Sequence, residues 1–214
     1  DAWWGTGAVG GGSAPEPLPE GGLVVDDSTG TPYGWIIDGT ADSSVTFAAR
    51  AMELGLQVNC ADEAFETAEG SWARGSLLVR KHENPGSLVE VEARVDRAAR
   101  ESGARAVRAF SGRAPGEGHD LGGRHFDLLK RPRIALLSNS PVSTSSYGHL
   151  WHHPDVVLGG PFSILDAQSM GRADLRRYNV LIVPPGGLSS VLEPIQKGLE
   201  TWVRGGGTLI ACEG

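Results

Sequence analysis

Four short apolar runs in the second half of the chain limit its fold more than any other feature. They are RIALLS (133–138), FSILDA (162–167), NVLIV (179–183, running on into PPGG) and TLIAC (208–212). A strand with one wet face alternates apolar and polar residues, whereas a strand apolar at nearly every position is covered on both faces. Between the runs lie segments of helical character: YGHLWHHPDVVLG (147–159), ADLRRY (173–178) and SSVLEPIQKGLETWVRGGG (189–207). The last of these places Ile195, Leu199, Trp202 and Val203 on one face. Strands alternating with helices in this way predict a parallel α/β sheet with helices on both faces. In such sheets ligands bind at the carboxyl ends of the strands.

The preceding stretch has a different rhythm. GWIIDGT (34–40) reads as a strand and ADSSVTFAARAMELG (41–55) as a helix, with Asp42 or Ser43 as its N-cap. LQVNCA (56–61) reads as a short strand, DEAFETAEG (62–70) as a turn or loop, and WARGSLLVRK (72–81) as a strand with a glycine break. Ser87 and Glu90 then form an S-x-x-E capping box. Leu88, Val91, Val95 and Ala98 make one apolar helical face, and Gly103 ends the helix before the strand AVRAF (106–110). The order βαββαβ fits a split-βαβ or partly doubly wound unit. A Gly-rich loop follows over 111–126, and the boundary between the two units falls near 127–132. The organisation expected is therefore a Gly/Pro-rich linker or arm over 1–32, a small α/β unit over 33–126 and a larger α/β domain over 127–214. Trp3 and Trp4 are the residues of the arm suited to docking on another surface.

Charge and composition exclude several classes of function. The formal net charge is −7 with a pI near 5.4, which disfavours a nucleic-acid partner. No apolar run approaches the ~18 residues that a membrane-spanning helix needs. The two cysteines, Cys60 and Cys212, make neither a disulfide framework nor a C-x-x-C motif. The chain opens on DAWWGTG and stops at LIACEG, directly after a strand, so we expect it to be a piece of a longer protein.

Candidate chemistry concentrates in HLWHHPD (149–155). On a helix, His149 and His153 are i,i+4 neighbours with His152 beside them, a spacing that can chelate a divalent metal. A working site needs a third or fourth ligand, and Pro154 disturbs the helix just before Asp155. The competing reading is a helix with Trp151 toward the sheet and its histidines at the outer rim. Cys212, after a strand and just before Gly214, has the setting of a nucleophile at a strand-to-helix turn; the alternative is a buried strand residue. Cys60 reads as core, Asp42 as a cap, and Arg94, Arg97 and Arg100 as a solvated helix face interleaved with acids. GRAPGEGHDLGG contains G-x-G but lacks the strand-to-helix setting of a phosphate cradle.

The segments YNVLIVPPGG and WVRGGGTLIACEG resemble a class I glutamine amidotransferase-like domain, which implies a flavodoxin-like parallel sheet over the second unit. Together with GWIIDGTADSSVTFAARAMELGLQV, WARGSLLVRK, GHDLGGRHFDLLKRPRIALL and GHLWHHPDVVLGGPFSILDA, in this order, they resemble the region after the catalytic domain in large bacterial zinc carboxypeptidase-like proteins. The resemblance spans about residues 33–214. Zinc in that family sits on an H-x-x-E pair and a distant His, and no H-x-x-E occurs here, so no zinc ligand is carried over. The resemblance implies a non-catalytic accessory region whose partner is an upstream peptidase domain holding the zinc, with peptide or protein as substrate; such parents are often exported. Two other expectations are a cysteine hydrolase or amidotransferase-like domain using Cys212, and a carbohydrate or surface binding module, for which the six Trp speak.

Overall fold

The structure, a computed structural model, describes residues 21–24, 30–116, 118–152 and 161–212. A mixed sheet of six strands organises the first unit. In chain order its strands are β1 (Gly22–Leu23), β2 (Gly34–Ile37), β3 (Asn59–Ala61), β6 (Leu77–Arg80), β7 (Arg105–Ala109) and β8 (Phe126–Leu128), and β4 (Phe65–Thr67) and β5 (Gly70–Trp72) form a separate hairpin. The spatial order is β1-β7-β2-β6-β3-β8. Only β1 pairs in parallel, with β7; the remaining neighbours in the sheet are antiparallel.

Successive residues of a strand point to opposite faces, and here both faces are apolar. Trp35, Ile37, Leu77 and Val79 face helices α1 (Ser43–Glu53) and α2 (Leu88–Ser102), which contribute Phe47, Ala51, Val91, Val95 and Ala98 to that core. Ile36, Leu78 and Ala109 face the other way, onto Phe65 of the hairpin and onto Leu121 and Phe126 from the Gly-rich loop and β8. Helix α2 has the bounds its caps predict. Ser87 Oγ accepts from the Glu90 amide, the Glu90 carboxylate accepts from the Ser87 amide, and Gly103 takes the left-handed φ of 71°.

The second unit is built on a four-stranded parallel sheet in the order β10-β9-β11-β12, from β9 (Ile134–Ser138), β10 (Phe162–Asp166), β11 (Val180–Val183) and β12 (Thr208–Ala211). Helices α3 (Thr144–His152), α4 (Ser189–Leu192) and α5 (Gln196–Arg204) and short 3₁₀ turns connect them. Ala135, Leu137, Leu181 and Val183 form the core with Val142, Met170 and Leu188, and Ile195, Leu199 and Trp202 pack against it. The chain is thus mixed α/β, and among the described residues no helix is long and apolar enough to cross a membrane.

Several expectations need correction. The acidic stretch 62–70 is not a plain loop: it starts the β4–β5 hairpin, because Phe65 is drawn into the core that Ile36 and Leu78 face and Trp72 Nε1 donates to Thr67 Oγ1. Gly22 and Leu23, read as part of the arm, pair with β7, and Asp96 accepts a hydrogen bond from the Leu23 amide. Asp42 sits at the start of α1 but its side chain makes no capping bond. Segment 189–207 is two α-helices joined by a 3₁₀ turn, Glu193–Ile195, since Pro194 lacks an amide proton. Val203 is exposed and does not join the apolar face. Trp151 is exposed as well and does not pack on the sheet, and the rest of the predicted helix, from 153 to 159, lies outside the described residues. Full cover on both faces of the parallel sheet is not reached among the described residues: Ile164 and Ile210 are 54% and 44% exposed.

Candidate functional site

The carboxyl end of the parallel sheet is the position where such folds bind ligands. The loops after β9 and β11 are tied together there. Ser143 donates its amide to the Pro185 carbonyl at 2.8 Å, Gly187 donates to the Pro141 carbonyl at 3.2 Å, and Val142 bridges Gly186. Asn139, directly after β9, adopts a φ of 64°, a left-handed conformation that Asn tolerates better than most residues. Cys212 follows β12 at this same end, its amide donating to the Val183 carbonyl at 2.9 Å. It is a free, half-buried thiol.

A cleft of about 730 Å³ lies at the opposite end of the sheet. Arg133, Asn179 and Gly207, each immediately before a strand, line it together with Leu175 and Trp202. Trp202 Nε1 is spoken for by the Leu175 carbonyl at 2.9 Å, so the indole serves packing rather than recognition.

The histidines of HLWHHPD stay apart from both places. His149 and His152 are exposed on the last turn of α3, and His153 and Asp155 lie outside the described residues. Cys60 is partly buried against the core beneath α1 and α2, and burial first, then Asp127 and Asp62, push its thiol up, with Arg74 opposing. That is the signature of a quiet thiol, not a nucleophile.

A side-chain cluster that the sequence reading did not single out forms in the first unit. Glu63, His119 and His125 bring their ligand atoms within 4.8 Å of one another. His119 Nε2 lies 3.0 Å and His125 Nδ1 lies 4.0 Å from Glu63 Oε2. The two imidazole rings are 3.9 Å apart at their centroids, and Asp62 Oδ1 is 3.1 Å from His125 Nδ1.

The backbone fixes this arrangement. β3 and β8 pair antiparallel with Ala61 opposite Phe126, and one step further the Asp62 amide donates to the His125 carbonyl at 3.0 Å. Asp62, Glu63 and His125 are therefore set by a sheet register. His119 arrives on the Gly-rich loop, which is pinned in turn. Leu121 is buried, its amide donates to the Gly112 carbonyl at 2.8 Å, and its own carbonyl accepts from Arg80 Nε at 2.8 Å. Asp120 Oδ1 accepts from the Ala114 amide at 2.9 Å, and Gly112 lies so close to the Tyr33 ring that a Cβ there would meet it at 2.8 Å.

Comparison with family models, with curated proteins and with solved structures finds no match to this chain. The site must be read from its own residues. Its one trace in the sequence is the pair of histidines in GEGHDLGGRHF; their acidic partner lies 56 residues before His119, too far for any local spacing rule.

Proposed function

We propose that this chain is a non-catalytic accessory region of a zinc carboxypeptidase-like metallopeptidase, in which a flavodoxin-like, class I glutamine amidotransferase-like domain supports or regulates the peptidase domain. The strand order β10-β9-β11-β12 agrees with this reading, being the 2-1-3-4 run of a doubly wound sheet. The observation that carries it is the edge at β12, which has no neighbour on its outer side among the described residues. All four residues of that strand are exposed, including apolar Leu209 and Ile210, and such an edge is a template for a further strand or a partner surface. In the full-length parent, removal of residues 33–214 should lower the yield, stability or turnover of a chelator-sensitive carboxypeptidase. A parent that holds no metal and cleaves no peptide would overturn the assignment.

A second reading, a cysteine hydrolase using Cys212, draws on the place of that residue at the carboxyl end of the sheet. Rapid, pH-dependent alkylation of Cys212 at neutral pH in the full-length protein would favour it over the accessory role. Slow alkylation like that of an ordinary thiol would remove it.

A further inference from the structure

We infer that Glu63, His119 and His125 form a binding site for a borderline divalent transition-metal ion, with zinc the best match. It is independent of the peptidase assignment and of the HLWHHPD motif. Two imidazoles and a carboxylate are the donor set such ions select, and alkaline-earth ions, which prefer all-oxygen shells, do not. Zinc bonds of about 2.0–2.2 Å at tetrahedral angles place ligand atoms roughly 3.3 Å apart. The 3.0 Å and 4.0 Å separations about Glu63 Oε2 bracket that spacing, so small side-chain rotations close the shell.

Charge supports the assignment. Asp62 and Glu63 together bring two negative charges to two imidazoles, which a dication neutralises. Asp62 Oδ1 lies 3.1 Å from that same His125 Nδ1, so it gives up this contact when the nitrogen turns to the ion and then supplies negative charge beside the site. Glu63 is 58% and His119 37% exposed, so the ion reaches the site from solvent and keeps an open coordination position toward it. Its consequence for the fold is a clamp. The ion would join the Gly-rich loop through His119 to the β3–β8 edge through Glu63 and His125, where that loop now depends on Leu121, Gly112 and Asp120.

The test is zinc and cobalt binding to the whole chain, stripped with chelator and then titrated, with cobalt absorption reporting the geometry. About one ion per chain should bind, and it should slow proteolysis within 111–125. His119→Gln, His125→Gln and Glu63→Gln each remove a ligand and should weaken binding by more than the roughly 10–100-fold that a change outside the ligand shell costs, and Asp62→Asn, which removes only neighbouring charge, by less. The paired change His149→Gln with His152→Gln should leave affinity unchanged. Glu63 and His119 are exposed enough for their variants to fold, which circular dichroism verifies. The inference is overturned if the stripped chain binds no ion, if the Glu63 and His119 variants bind as tightly as the parent chain, or if the α3 variant alone loses binding.

Discussion

In the first unit, β2 and β6 are buried along their whole length, while β12 in the second unit is exposed along its whole length. Both are apolar, so composition does not separate them. The difference lies in what covers them. The sheet of the first unit is closed on one face by α1 and α2 and on the other by the β4–β5 hairpin and the Gly-rich loop. β12 has β11 on one side and no described neighbour on the other. Stability should therefore concentrate in the first unit.

Substitutions can break this contrast. The largest effect should come from Phe47→Ala, which empties a fully buried position between α1 and the sheet. A loss of about 3–5 kcal/mol is expected in urea unfolding. Arg80→Ala comes next. Arg80 is buried and holds the Leu121 carbonyl, the Glu83 carboxylate at 2.6 Å and Asn59, with its guanidinium 5.5 Å from the Phe126 ring centroid. Its removal should cost about 2 kcal/mol, the scale of a hydrogen bond to a charged group. It should also make residues 111–125 the first site of proteolysis. Ser87→Ala deletes the cap of α2 and should cost about 1 kcal/mol by the same measurement.

Acid should act on the first unit through Asp96. The Arg100 guanidinium, helped by the Leu23 amide, holds its carboxyl below the ordinary aspartate range. A depressed carboxyl binds its proton less readily in the folded state, so the stability it supplies is present above the unfolded value and lost as pH falls through the folded one. Hydrogen exchange at Leu23 should speed up over that acid window, and Asp96→Asn should remove the pH dependence. The smallest effect belongs to Ile210→Ala on the open edge, less than about 1 kcal/mol given its exposure. If Ile210→Ala costs as much as Phe47→Ala, the edge is covered in the working protein and the contrast fails in its present form.

Much of the fold was legible because it is local. Ser87, Glu90 and Gly103 bound α2 through contacts within a few residues of each end, and the apolar runs at 134–138 and 180–183 are strands wherever they are placed. The misreadings arose where distant packing overrode local character. Phe65 makes a strand of an acidic stretch because a core lies beneath it, and Trp151, placed toward the sheet in the competing reading of the histidine helix, is exposed. At the candidate site, three clustered histidines drew attention by spacing alone, while the pair that meets an acid was hidden in a loop rich in glycine.

By itself, the sequence determined the bounds of α2, the strands of the second sheet and their parallel character. These follow from side-chain period and caps, which act within a turn or a strand. Only the tertiary structure decided that the strands of the first unit run in the order β1-β7-β2-β6-β3-β8, and hence that Glu63 meets His119 and His125. That meeting depends on the pairing of β3 with β8 and on Leu121 and Arg80 anchoring the intervening loop. Register and loop docking are set by the whole core at once, and no short stretch of sequence carries them.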